Sequence, residues 1–113
     1  MPHIIIEHSR GLEDSHDLQA LCDDLWQKFA NHPSVTSPDT VRTRTIAATA
    51  SRIGVEPQSF AHATLLLLPG RSDETRAELA QIVLDTLDSH LPDVGSLTVR
   101  LDDIHQPYMK RML

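Results

Sequence analysis

Cysteine is nearly missing from this 113-residue sequence: Cys22 stands alone. No intrachain disulfide framework is therefore possible. Cys22 falls on the apolar side of an expected helix, which suits buried filler better than a nucleophile. Aromatic residues are also few, one Trp, one Tyr and two Phe. Positive charge is in deficit, with 10 Lys and Arg against 16 Asp and Glu, a formal net charge of −6. Such a balance argues against nucleic acid as a partner. Any anion must be bound by a local cluster of arginines acting against the overall field. The longest apolar run, Leu65 to Leu68, is far too short to span a membrane. The start lacks the basic-then-apolar pattern of a signal peptide, so a cytoplasmic protein is expected.

The remaining composition is ordinary for a globular chain, 40% apolar and 23% charged. The length suits a single domain over residues 1–113, one small enough to gain stability from oligomerisation.

The opening stretch is the most informative: Met1-Pro2-His3-Ile4-Ile5-Ile6-Glu7. Initiator methionine is commonly removed before proline, which leaves a free secondary amine on Pro2. An α-amine titrates near pH 7.7–8.0. Burial and neighbouring cations both lower that value, giving a base that is neutral at physiological pH. A Met-Pro start also fits a strand whose first residue needs no hydrogen-bond donor.

Ile4 to Ile6 reads as a strand covered on both faces. Gly11, Glu13 and Asp14 read as a loop, and Ser15 as the N-cap of a helix with Asp17 in its first turn. Leu18, Leu21, Cys22, Leu25, Trp26 and Phe29 share one helical face. His32-Pro33 ends that helix. Val41 to Ile46 alternates, with Arg42 and Arg44 on one side and Val41, Thr43 and Thr45 on the other. A turn at 54–58 predicts a hairpin between residues 41–52 and 59–68. Ser72, backed by Asp73 and Glu74, predicts a second helix start. Leu79, Ile82, Val83, Leu87 and Leu91 form that helix's apolar face, and Pro92 and Gly95 stop it. Leu97 to Leu101 is a last strand.

The expected class is therefore α+β, an α/β two-layer fold. Two β-α-β units, each with parallel strands, build a four-stranded mixed sheet with two helices on one face. The other sheet face needs cover, which predicts subunit association. Seven histidines offer no pair with the close spacing of a zinc site, so no metal is expected. His62 reads as a hydrogen-bonded core or interface residue. His3 and His8 should face opposite ways on the first strand. His105 and Tyr108 could equally edge a pocket or lie on the surface.

Several segments together resemble the 5-carboxymethyl-2-hydroxymuconate isomerases of the tautomerase superfamily. They are Met1-Pro2-His3 with Ile4-Ile5-Ile6-Glu7, Val41-Arg42-Thr43-Arg44, Gly70-Arg71-Ser72 ahead of Thr75-Arg76, and Ile104-His105. The resemblance implies a tautomerase-like fold, a homotrimer around a barrel-like centre, and no cofactor. It implies that Pro2 is the general base and that Arg42 and Arg71 bind a small carboxylate substrate. Arg44 competes with Arg42 for its role, because the two are separated by a single alternation. Without the resemblance, Arg71 would pair with Asp73 or Glu74, and Arg42 and Arg44 would be a charged sheet edge that discourages aggregation. The sequence departs from the family after the arginine pair, where Thr45, Ile46 and Ala47 replace aromatic residues. That leaves room for another tautomerase-superfamily activity (phenylenolpyruvate-type tautomerase, hydratase or dehalogenase) or a non-catalytic oligomeric binding module of the same fold.

Overall fold

Alternation along the strands decides which way this sheet faces. In the computed structural model, which describes residues 2–113, Ile4, Ile6 and His8 are buried, whereas Ile5 is half-buried and Glu7 exposed. They belong to β1, His3–His8. The same alternation runs through β3, Phe60–Leu67, where Ala61, Ala63, Leu65 and Leu67 are fully buried. These side chains meet Leu21, Leu25 and Phe29 of α2 (Leu18–Ala30) and Leu79, Val83 and Leu87 of α3 (Asp73–His90) in one core. Burying a leucine or phenylalanine side chain is worth about 1.5–3 kcal/mol. This shared face is what holds helices and sheet together.

Among the described residues the sheet has four strands in the order β2-β1-β3-β4, with β2 at Arg42–Ala47 and β4 at Ser96–Asp103. β1 runs parallel to β2 and antiparallel to β3, and β3 runs parallel to β4. Both expected β-α-β units are present, each with parallel strands. The expected hairpin between 41–52 and 59–68 is not: β1 lies between those two strands. The most apolar strand takes a central place, and the Arg- and Thr-rich β2 takes an edge, where charged side chains are tolerated. β2 also ends early, at Ala47. The chain then loops, and the Gln58 side chain holds the Ile53 backbone at both N–H and C=O, each at 3.0 Å. Gly95 packs against that loop, where a Cβ would sit 2.6 Å from Pro57 Cγ.

Helix starts were partly legible. Ser72 caps α3, accepting from the Thr75 N–H at 3.2 Å. The α2 cap is Asp17, which accepts from the Ala20 N–H at 3.0 Å, not Ser15. Ser15 instead closes a separate short helix, α1, Leu12–Ser15, where a loop was expected. Leu12 is buried and anchors it. Trp26 departs from the expected apolar face. It is 38% exposed and rests one edge on the protein, its indole N–H donating to the Val41 carbonyl at 3.2 Å. The two long helices are tied by buried Thr86, which donates to the Ile82 carbonyl and accepts from Lys28 Nζ at 2.9 Å.

His3 and His8 do face opposite ways, with His8 on the helix side. The opposite face carries Ile5, Phe60, His62, Thr64 and Leu66, all half-buried. His62 bonds across strands to Thr98 Oγ1 at 2.7 Å. No helix among the described residues is long and apolar enough to cross a membrane.

Candidate active site at the start of the first strand

Strand register gathers distant segments at one end of the sheet. His3 lies opposite Arg42 on β2 and Leu66 on β3, and Leu66 lies opposite Asp102 on β4. Pro2, one residue earlier, is buried at that end, and its carbonyl accepts from the Arg42 N–H at 3.0 Å. The expected removal of Met1 concerns a residue outside those described.

Arg71 reaches the same end by a turn. β3 stops at Leu67, and Gly70 has a φ of 117°, a left-handed conformation that a side chain resists. The turn places Arg71 directly before the α3 cap. Its guanidinium does not pair with Asp73 or Glu74. It donates to the Ser34 carbonyl at 3.1 Å and the Leu68 carbonyl at 3.4 Å. Its Nε is buried without a hydrogen-bond partner. A buried unpaired N–H costs about 1–3 kcal/mol, so an acceptor placed there is favoured. Beside it lies a cavity of about 170 Å³, lined in part by Ser37, Thr40, Leu68 and Arg71. The α3 N-terminus also favours anions nearby.

Arg42 and Arg44 project from β2 on the His3 side of the sheet, because Thr43 between them bonds the Cys22 carbonyl on the helix side. Arg42 is half-buried. It donates to the Thr40 carbonyl at 3.3 Å and lies 3.3 Å from Met112 Sδ. Arg44 is exposed and lies opposite Ile5, one alternation further from Pro2. Its guanidinium donates to His3 Nδ1 at 3.4 Å. A guanidinium can only donate, so Nδ1 accepts and the proton of neutral His3 sits on Nε2, facing Tyr108 Oη at 2.9 Å. Burial, then the charges of Arg44 and Arg42, hold the His3 pKa below its ordinary value. Imidazole is thus kept neutral here by desolvation and by cations.

Of the four expected site residues, Pro2 and Arg42 are joined through their backbones, Arg71 lies at the same end of the sheet beside its own cavity, and Arg44 lies at the rim. Tyr108 comes to it and His105 stays exposed on the tail. Sequence reasoning missed Lys110, which lines the Arg71 cavity. The only signal for it was a basic tail, and nothing in a tail's composition says where it folds back.

The model of the 5-carboxymethyl-2-hydroxymuconate isomerase family matches residues 2–102. No curated protein sequence matches the chain. Among solved structures, it is similar to a 5-carboxymethyl-2-hydroxymuconate isomerase from Deinococcus radiodurans, with a TM-score of 0.84 and 20% identity over 97% of this chain and 88% of that one. A 5-carboxymethyl-2-hydroxymuconate delta-isomerase also has a TM-score of 0.84, at 20% identity over 99% of this chain and 88% of that one. A fused 4-OT described as a wild-type symmetric trimer has a TM-score of 0.74, at 20% identity over 95% and 89% of the two chains.

Proposed function

The chain belongs to the 5-carboxymethyl-2-hydroxymuconate isomerase family of the tautomerase superfamily, and we propose that it is an enol–keto isomerase. Its substrate is 5-carboxymethyl-2-hydroxymuconate or a similar carboxylated dienol from aromatic-acid degradation. The proposal treats residues 1–113 as a single tautomerase-like domain that works as a homotrimer, like the symmetric trimer it resembles in fold. The observation that supports the reading is Pro2, buried at the end of β1 with its carbonyl bonded to the Arg42 N–H, at the same end of the sheet as the turn that carries Arg71.

The chemistry follows from those groups. A dienol becomes a conjugated ketone by losing the enol proton and gaining one at a carbon further along the chain. Double bonds shift and no electrons enter or leave. With Met1 removed, the Pro2 amine accepts the first proton and returns it at the carbon. A base whose conjugate acid is only moderately stable serves both halves. Arg71 and Arg42 hold carboxylates, since a planar guanidinium forms two parallel hydrogen bonds to such a group and fixes its plane. A cation near the carbonyl oxygen also stabilises the dienolate as charge builds there. Arg44, at the rim, is the alternative to Arg42.

The test pairs intact mass with absorbance assays on a hydroxymuconate and on a simple enol pyruvate. The active protein should lack Met1. Pro2→Ala keeps a primary amine and should retain some activity, whereas one extra residue before Pro2 should abolish nearly all of it. Full activity in protein that keeps Met1 would end the proline mechanism. Turnover of the enol pyruvate alone would move the substrate to a phenylenolpyruvate-type enol.

A further inference from the structure

We propose that the C-terminal segment, residues 104–113, forms a wall of the substrate site and that its Lys110 joins Arg71 in binding one terminal carboxylate of the substrate. This deepens the proposed function and rests on it for the identity of the ligand. The segment lies just beyond the part of the chain matched by the family model, residues 2–102.

The segment is placed by specific contacts rather than by burial. The Ile104 N–H donates to the Leu67 carbonyl at 2.7 Å, extending the β3–β4 ladder by one residue. Tyr108 Oη meets His3 Nε2 at 2.9 Å, and the two rings pack edge to face with centroids 6.0 Å apart. Met112 Sδ lies 3.3 Å from the Arg42 guanidinium. The residues between these anchors are exposed. The tail therefore runs back past the residue that follows Pro2 and past both proposed carboxylate-binding arginines.

Lys110 sits between the last two anchors and lines the Arg71 cavity. That cavity holds two cationic side chains and no Asp or Glu. Two like charges around one small space repel each other, and an anion between them removes the conflict. The Arg71 Nε–H is buried without a hydrogen-bond partner. About 170 Å³ accepts a carboxylate and a short length of carbon chain, and not a whole dienol tricarboxylate. The ligand class is thus a planar, unsaturated acid with a carboxylate at the end of its chain, the rest lying toward Pro2.

The probe is cis,cis-muconate, a diene dicarboxylate without the enol hydroxyl, which binds without turnover. It is titrated calorimetrically into the full chain. Lys110→Ala should weaken binding about tenfold, as expected for loss of one charge-assisted contact. Lys110→Arg should restore most of it, and Arg111→Ala, the neighbouring cation outside the cavity, should change nothing. Tyr108→Phe removes the pin and should weaken binding several-fold, and Lys110→Ala added to it should cost less than it does alone. Wild-type affinity in Lys110→Ala, equal losses in Lys110→Ala and Arg111→Ala, fully additive losses with Tyr108→Phe, or no muconate binding by the wild type would each overturn the proposal. A loss in Arg71→Ala with none in Lys110→Ala removes the tail and leaves Arg71 in place. Binding that depends on Lys110 in a protein that isomerises no dienol removes the proposed reaction and leaves the subsite.

Discussion

Arg71→Ala separates a structural role from a functional one, and the two have different magnitudes. Arg71 spans the carbonyls of Ser34, in the loop after α2, and Leu68, at the end of β3. The second bond is long at 3.4 Å, so the pair contributes about 1–2 kcal/mol to stability. For a chain of this size that lowers Tm by roughly 3–10 °C. Total stability of about 5–15 kcal/mol survives such a loss, and well over 99% of molecules stay folded at 25 °C. Catalysis should fall much further. Losing a bidentate contact to a substrate carboxylate costs on the order of 2–4 kcal/mol in transition-state binding, roughly thirty- to a thousand-fold in kcat/KM. Circular-dichroism melts and initial rates on any dienol the enzyme turns over measure both quantities on one sample. Arg71→Lys should recover part of the rate through its charge while leaving affinity low, because it lacks the planar fork. In the same series Arg42→Ala should mainly raise KM, and Arg44→Ala is the control that decides between the two strand arginines. A variant with the expected fall in Tm and wild-type kcat/KM would refute the reasoning. Arg71 would then be a clamp between two loops and nothing more.

Two further predictions concern assembly and pH. The half-buried Ile5, Phe60 and Leu66 on the helix-free sheet face should be covered in solution, so light scattering should give three times the 12.6 kDa chain mass; a monodisperse monomer would contradict the trimer. His16 Nε2 lies 2.7 Å from Asp93 Oδ1, and this hydrogen bond raises the His16 pKa above its ordinary 6.5. A raised folded-state pKa gives stability that is fully present below pH 6.5 and lost as pH rises through the folded value. The Asp93 pKa is lowered by the same bond, so its share fades only as pH falls toward the acid range. Wild type should therefore melt above His16→Gln below pH 6.5, with the gap narrowing as pH rises past that value. A gap that does not change with pH would show that the pair acts through packing alone.

The class of the fold, the two sides of β2 and the apolar stripe Leu79–Val83–Leu87 of α3 were legible because they depend on local periodicity. Ile4 to Ile6 and Leu65 to Leu68 are apolar at every position and declare no side; the structure buries Ile4, Ile6, Leu65 and Leu67 and leaves Ile5 and Leu66 half-buried. The Ser72 cap was legible for the same reason: donor and acceptor are three residues apart. The pairing between the two β-α-β units was not. A turn signal at 54–58 suggested a hairpin, yet strand order is decided by which strand can tolerate an edge, a property of the whole sheet. Asp17 and Ser15 are both good caps by type. Leu12 decided between them by burying itself and starting a separate turn of helix. At the site, Pro2 and the arginines were named through resemblance, and register explains why they lie at one end of the sheet. Lys110 was illegible because its position follows from one tyrosine hydroxyl finding one imidazole 105 residues away in sequence.

Burial and positive charge at the start of β1 act together on any base placed there. The chain as a whole is acidic, at −6, but Arg42, Arg44, Arg71 and Lys110 gather at this end of the sheet. His3 registers the result: burial first, then Arg44 and Arg42, depress its pKa. An amine on Pro2, the buried residue beside it, is charged in the same protonation state as imidazole, so both influences act on it with the same sign. An ordinary α-amine value of about 7.7–8.0 needs to fall by only about one unit for the neutral form to predominate at pH 7. Under the proposed mechanism, substrate then changes the field. Its carboxylates neutralise the arginines and Lys110, and the proton affinity of the amine rises once substrate is seated. The base is kept unprotonated while it waits and becomes a better proton acceptor when the dienol arrives. The cations that bind the substrate thereby time the proton transfer, and loss of any one of them should disturb the pH–rate profile as well as KM.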